Sequence, residues 1–137
     1  MTVVIDASVA FAGALGIGPD SLWAREILGG HDVVAPELMT IEVAHIMRKT
    51  VLNDELTEAQ AAEFISDLPF LVDTFLPHAP LLQRVWELRN NLTSYDATYV
   101  ALAEALGAPL ATLDKRLSQA PGPTCPFLSP PEKWPCR

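Results

Sequence analysis

The sequence predicts an α/β protein, a three-layer α/β/α sandwich built on a short-stranded parallel sheet, and three observations carry that reading. Short apolar runs of strand type alternate with segments of helical period. Those runs lack the in-out alternation of a half-solvated sheet, as expected when helices cover both faces. Two of them end in an aspartate, Asp6 and Asp114, and in open parallel sheets ligands gather beyond the carboxyl ends of the strands.

Residues 2–6, β-branched and apolar up to Asp6, read as a short buried strand, and the small residues 7–15 as the helix after it, with Ser8 as N-cap. Beyond Gly18 and Pro19, Leu22, Trp23, Ile27 and Leu28 recur at helical spacing, and Gly29-Gly30 supplies the stop. Residues 31–35 form the second strand. Pro36 suits the first turn of a long helix reaching about Leu52, with Val43, Ile46 and Met47 on its apolar side and Glu42, His45 and Lys49 on the other. Thr57-Glu58-Ala59-Gln60 has the form of a capping box and starts a helix that ends before Pro69. Residues 70–76 are the third strand. Leu81, Val85, Leu88 and Leu92 repeat at intervals of 4, 3 and 4, as do Tyr95, Tyr99, Leu102 and Leu106, defining two further amphipathic helices. Residues 110–113, reached through Gly107 and Pro109, make a fourth strand with Asp114 at its C-terminal end. From Pro121 the chain is rich in proline; it has room for an edge strand near Phe127, but its composition suits a segment laid over the surface.

At 137 residues, half of them hydrophobic, the chain can bury one core without disulfides. Residues 1–128 read as a single domain and 129–137 as a proline-rich C-terminal tail. No run of about 18 apolar residues occurs, so no membrane span is expected. The apolar start, residues 3–17, lacks a basic leader and carries Asp6, which favours a strand and helix over a signal peptide. Cys125 and Cys136 lie outside any metal-ligand spacing. A tail disulfide is one reading of them; thiols in a cytoplasmic protein are the better fit. A net charge of -8 and a pI near 4.7 argue against broad duplex binding, which needs a basic face. They leave room for a small, metal-bridged RNA contact and suit a basic partner.

Four acids then stand out. Asp6 follows buried strand and precedes apolar helix, where a charge is costly unless capping or a metal compensates it. Asp114 repeats that arrangement. Glu42, taken alone, reads as a solvated helix acid, and Asp96 as a first-turn acid favoured by the helix dipole. Together they amount to more: two strand-end aspartates at one sheet edge, with two helix acids able to approach it. Such an oxygen-rich set suits Mg²⁺ or Mn²⁺, and the chemistry it points to is hydrolysis of a phosphate ester.

The segments Val4-Ile5-Asp6-Ala7-Ser8, Pro36-Glu37-Leu38 to Glu42-Val43, Ser94-Tyr95-Asp96-Ala97 to Ala101, and Thr112-Leu113-Asp114-Lys115-Arg116-Leu117 resemble the PIN domain, specifically the VapC-type toxins of bacterial toxin-antitoxin pairs. Order, spacing and length agree from Thr2 to about Phe127. The resemblance implies Asp6, Glu42, Asp96 and Asp114 around Mg²⁺ or Mn²⁺, Thr112 hydrogen-bonding near the metal shell, and endonucleolytic cleavage of RNA. It also implies a homodimer and a cognate antitoxin whose C-terminal segment lies along a groove and brings basic residues to the acids.

Other residues have bland and functional readings side by side. His45, one turn after Glu42, can reach a phosphate or serve as an ordinary helix residue. Arg48, Lys49, Lys115 and Arg116 are candidates for RNA phosphate contacts, Arg116 foremost, or solvated charges. Trp23 and Trp86 read as core or dimer-interface residues, Tyr95 and Tyr99 as packing residues, and Trp134 is uninformative. Competing functions are a PIN domain of ordinary RNA maturation, a Mg²⁺-dependent phosphotransfer domain and a silent binding module. Against phosphotransfer, the position two residues after Asp6 is Ser8 and not a second acid; against the silent module, none of the four acids is missing.

Overall fold

The structure, a computed structural model, describes residues 1–132. Elements follow in the order β1 (Thr2–Ile5), α1 (Ala7–Leu15), α2 (Pro19–Gly30), β2 (Asp32–Pro36), α3 (Leu38–Leu52), α4 (Glu58–Leu71) and β3 (Thr74–Leu76). A 3₁₀ turn (Ala79–Leu81) then runs into α5 (Leu82–Glu87), followed by α6 (Ser94–Leu106), β4 (Leu110–Ala111), α7 (Lys115–Gln119) and β5 (Phe127–Leu128). All five strands are parallel, in the order β3-β2-β1-β4-β5. Helix α1 packs with α2, α3 and α4, whereas α6 packs with α5 and across β1, β2 and β4. These are the expected three layers.

Central strand β1 explains the missing alternation. Val3, Val4 and Ile5 are fully buried because both faces carry helices, and both edges are paired, Val4 with Val34 on one side and with Leu110 on the other. Since all strands run the same way, their carboxyl ends share one edge, where Asp6 leaves β1 and Asp114 follows β4 by three residues.

Several boundaries differ from expectation, each for a local reason. Asp6, not Ser8, is the N-cap of α1, accepting from the Val9 amide at 3.3 Å. Pro36 ends β2 instead of opening α3; it pairs in register with Leu76, and the next donor, the Glu37 amide, bonds the Leu76 carbonyl at 2.8 Å. Helix α4 runs past Pro69 to Leu71. The lost Pro69 donor falls in the last turn, where Leu68 and Val72 still reach the core and the Val72 amide bonds the Leu68 carbonyl. The third strand is thereby cut to three residues, and Phe70, expected inside it, is 87% exposed. The helix expected around 81–92 breaks after Glu87, with the Leu88 amide closing the turn on Arg84 and Val85. Strand β4 keeps two of its four expected residues, although the Thr112 amide still reaches the Leu128 carbonyl at 3.1 Å.

The edge strand near Phe127 is present as β5, pairing with β4, so this part of the tail does extend the sheet. The segment before it is stitched to the body by one cluster. Arg84 donates from Nε and Nη2 to the Glu104 carboxylate at 2.6 and 3.1 Å and from Nη2 to the Gly122 carbonyl at 3.1 Å, while the Thr124 amide donates to Glu104 Oε2 at 2.8 Å. Cys125 is buried there, and burial first, then the Glu104 charge, pushes its thiol up to about 11. Trp134 and Cys136, and with them the disulfide reading, lie outside the described residues, as does residues 133–137 of the expected tail. No helix among the described residues is long and apolar enough to cross a membrane.

Candidate functional site

Asp6 is held by both oxygens. The Ser8 hydroxyl donates to Oδ1 at 2.5 Å and the Thr112 hydroxyl donates to Oδ2. Each hydroxyl in turn accepts a backbone amide from the loop after β4: Ser8 Oγ from Leu113 at 3.2 Å, Thr112 Oγ1 from Asp114 at 3.0 Å. Two hydroxyls thus tie the end of β1 to the end of β4. Asp6 is only 8% exposed. Burial pushes its carboxyl above the usual range, the bonds from Ser8, Thr112 and Val9 pull it back, and the Glu42 charge adds to the rise.

Glu42 does not share the solvent face of α3 with His45 and Lys49, which are exposed; it is half-buried beside the stripe of Met39, Val43 and Met47. The Tyr99 hydroxyl donates to its Oε1 at 2.6 Å. Burial raises the Glu42 carboxyl, the Tyr99 bond opposes, and Asp96 raises it further. Asp96 sits in the first turn of α6, where its amide donates to the capping Thr93 hydroxyl at 3.2 Å. Its carboxyl is raised by burial and then by Asp114, against Thr93 and the Arg116 charge. Asp114 caps α7, accepting from the Arg116 and Leu117 amides at 2.9 and 3.4 Å.

The acids therefore form a chain of neighbours: Asp6 beside Glu42, Glu42 beside Asp96, Asp96 beside Asp114. The capping roles of Asp6 and Asp114 are real, but they engage only some of the lone pairs. Among the described residues the only ion pairs are those of Arg84 with Glu87 and Glu104, so none of the four acids has a cationic partner. Nor, among the described residues, do three or more acid, histidine or cysteine side chains form a group that could hold a metal ion as they stand. An open, all-oxygen set of this kind fits Mg²⁺ or Mn²⁺, which bind through one or two carboxylates and keep waters for substrate. Burial first and mutual repulsion after it raise three of the four carboxyls, and the repulsion is what a divalent cation would relieve.

Two clefts flank the chain of acids. One, about 260 Å³, is lined by Asn91, Thr93, Asp96, Asp114 and Arg116. The other, about 340 Å³, is lined by Leu38, Ile41, Glu42, His45 and Tyr95. Of the candidate basic residues, Arg116 thus lines the acid site, whereas Arg48 lines a separate apolar groove between α3 and α4. Trp23 is core, but Trp86 is 65% exposed with the Arg89 guanidinium 4.5 Å from its ring, so it is no core residue. Tyr95 is likewise 60% exposed, because it lies in the first turn of α6, ahead of the stretch 97–103 that is buried throughout and holds Tyr99.

Two contributors were missed from sequence. Ser8 was read as a cap, although its place two residues after a strand-end acid was a signal. Tyr99 reads from sequence as packing; it is 1% exposed, its hydroxyl bonds Glu42, and the charges of Asp6 and Asp96 also act on it. Burial first, then those charges, drives the phenol far above its usual range, so it stays a neutral donor.

Comparison with known proteins gives consistent results. The family model described as PIN domain matches residues 3–123. Ribonuclease VapC1 of Mycobacterium tuberculosis is 44% identical over 123 residues, 89% of this chain and 92% of that protein. Ribonuclease VapC9 of the same organism is 37% identical over 129 residues, 94% and 98% of the two chains. Among solved structures, VapBC2 from Rickettsia felis, bound to a DNA fragment from their promoter, is similar in fold with a TM-score of 0.70 at 13% identity, covering 94% of this chain and 98% of that one.

Proposed function

The chain belongs to the PIN-domain family and, within it, to the VapC ribonucleases, and from that premise we propose that it is a metal-dependent endoribonuclease, the toxin of a toxin-antitoxin pair. It hydrolyses RNA phosphodiester bonds at the site of Asp6, Glu42, Asp96 and Asp114. The observation that carries this reading is that, among the described residues, the four acids act on one another's carboxyls and none of them is engaged in an ion pair.

In this reading those four carboxylates hold Mg²⁺ or Mn²⁺. Bound there, the ion supplies polarisation of the phosphate and a more acidic water. The protein's own part is preorganisation. Ser8 and Thr112 fix both oxygens of Asp6, and the cap of α7 fixes Asp114. Arg116, lining the cleft with Asp96 and Asp114, is the cation nearest to hand for a substrate phosphate. His45, exposed in the cleft beside Glu42, is free to touch substrate without serving as the base.

RNA is the substrate, an antitoxin protein the partner, and a homodimer the working assembly; the cytoplasm is where such a protein acts. The chain's acidity supports a basic antitoxin segment reaching the carboxylates. The test is cleavage of total RNA by purified protein, wild type beside Asp96→Asn, with Mg²⁺ or with EDTA. Discrete fragments only for wild type with metal are expected; fragments of equal yield from Asp96→Asn or in EDTA would overturn the four-acid site.

A further inference from the structure

The Tyr99 hydroxyl is a buried polar group that the carboxylate mechanism does not require, and its surroundings are unusual. It enters from α6, three residues after Asp96 and so on nearly the same helix face, and donates to Glu42 on α3 at 2.6 Å. The bond crosses from one element to another between the only two acids of the set that sit inside or at the start of long helices. Asp6 and Asp114 are each fixed by backbone amides through their capping positions. Glu42 has no such anchor: Tyr99 is its one hydrogen-bond partner among the described residues. A glutamate has three side-chain torsions, and ordering them at the moment of ion binding costs affinity.

We propose that Tyr99 is a positioning residue for Glu42: its hydroxyl holds the carboxylate at Oε1, leaves Oε2 without a hydrogen-bond partner among the described residues, and thereby sets the affinity of the site for a divalent cation. This deepens the metal-site reading above and rests on it. A phenol suits the position better than a lysine or arginine would. It orders the carboxylate without supplying a charge that competes with the ion. Because the ring is 1% exposed and packed in the core, the hydroxyl cannot swing away to solvent.

Tyr99→Phe removes the hydroxyl and keeps the ring. The measurement is Mn²⁺ binding to the purified full chain by isothermal titration calorimetry, for wild type, Tyr99→Phe, Glu42→Gln and the double variant, each checked by thermal unfolding. The expected loss for Tyr99→Phe is about 10- to 100-fold in affinity, with the double variant no weaker than Glu42→Gln alone, because the tyrosine acts through the glutamate. Glu42→Asp, one methylene short of the hydroxyl, provides a second arm in a protein with the tyrosine intact: its affinity should fall comparably and become indifferent to Tyr99→Phe. Wild-type affinity in Tyr99→Phe, or losses that add in the double variant, would overturn the proposal alone. No Mn²⁺ binding by wild type would overturn the metal-site reading and this proposal with it.

Discussion

At the scale of single residues, the acid site is built against stability. Asp6 is nearly sealed from water and is raised chiefly by that burial, so its charge is retained at a cost that only an ion or its three donors offset. Asp6→Asn should therefore lower RNA cleavage by about 100-fold or more while stabilising the metal-free fold by roughly 1 kcal/mol; a destabilised variant would mean that its hydrogen bonds outweigh its desolvation. The same logic has a pH signature. Asp6, Glu42 and Asp96 have folded-state values above their ordinary ones, so between the two values the folded state binds more protons, and stability falls as pH rises through that window. In EDTA the thermal midpoint should rise as pH is lowered from neutral towards the ordinary carboxylate range, and saturating Mg²⁺ should flatten the dependence. Glu104, lowered by Arg84 and Thr124 despite its burial, works in the opposite sense only below the ordinary carboxylate range. Asp6 and Asp114 stand out in the sequence because each ends an apolar strand, whereas Glu42 and Asp96, which alone read as a solvated helix acid and a first-turn acid, stand out only through the set of four and the PIN resemblance. Ser8 and Tyr99 were not, because a hydroxyl beside an acid and a tyrosine on an apolar stripe look the same whether or not their oxygens meet a carboxylate.

At the scale of elements, termini are the least legible feature, while the capping box that opens α4 is legible in full. The Thr57 and Gln60 box is present with both reciprocal bonds, Thr57 Oγ1 accepting from the Gln60 amide at 3.1 Å and Gln60 Oε1 from the Thr57 amide at 2.9 Å. Thr57→Ala should cost about 1 kcal/mol in denaturant unfolding. Pro69, by contrast, was read as a stop and is carried inside the last turn of α4 because Leu68 and Val72 behind and ahead of it are core residues. Tertiary burial there overrides a local penalty, so Pro69→Ala should raise stability by about 1 kcal/mol or more; an unchanged midpoint would show that the turn is already relaxed. The two-residue strands β4 and β5 were overestimated or left vague for a related reason: a strand that short has no period to read, and its existence depends on the neighbour it pairs with. Close packing of α1 on α2 was equally invisible. A methyl group at Gly13 would come within 2.4 Å of a Leu28 side-chain carbon, a constraint no spacing rule reveals.

At the scale of the whole molecule, the strand order makes the centre of the sheet depend on its far end. The Arg84–Glu104 cluster holds the segment before β5, β5 holds the Leu110 and Thr112 amides, and Thr112 holds Asp6. Arg84→Ala should speed hydrogen exchange at the Leu110 and Thr112 amides and reduce cleavage with them; exchange as slow as in wild type would show that β5 stays docked without the clasp. The parallel fold was legible from the apolar runs, but this dependence was not, since pairing order is a property of contacts and not of composition. It has a further consequence during synthesis. Asp6 meets Thr112 only after another 106 residues have been added to the growing chain, a wait on the order of 5–20 s at ordinary elongation rates. For that interval the nascent chain carries an acid with no finished site around it. The acid cluster is thus closed to the translating machine until Asp114 has been made.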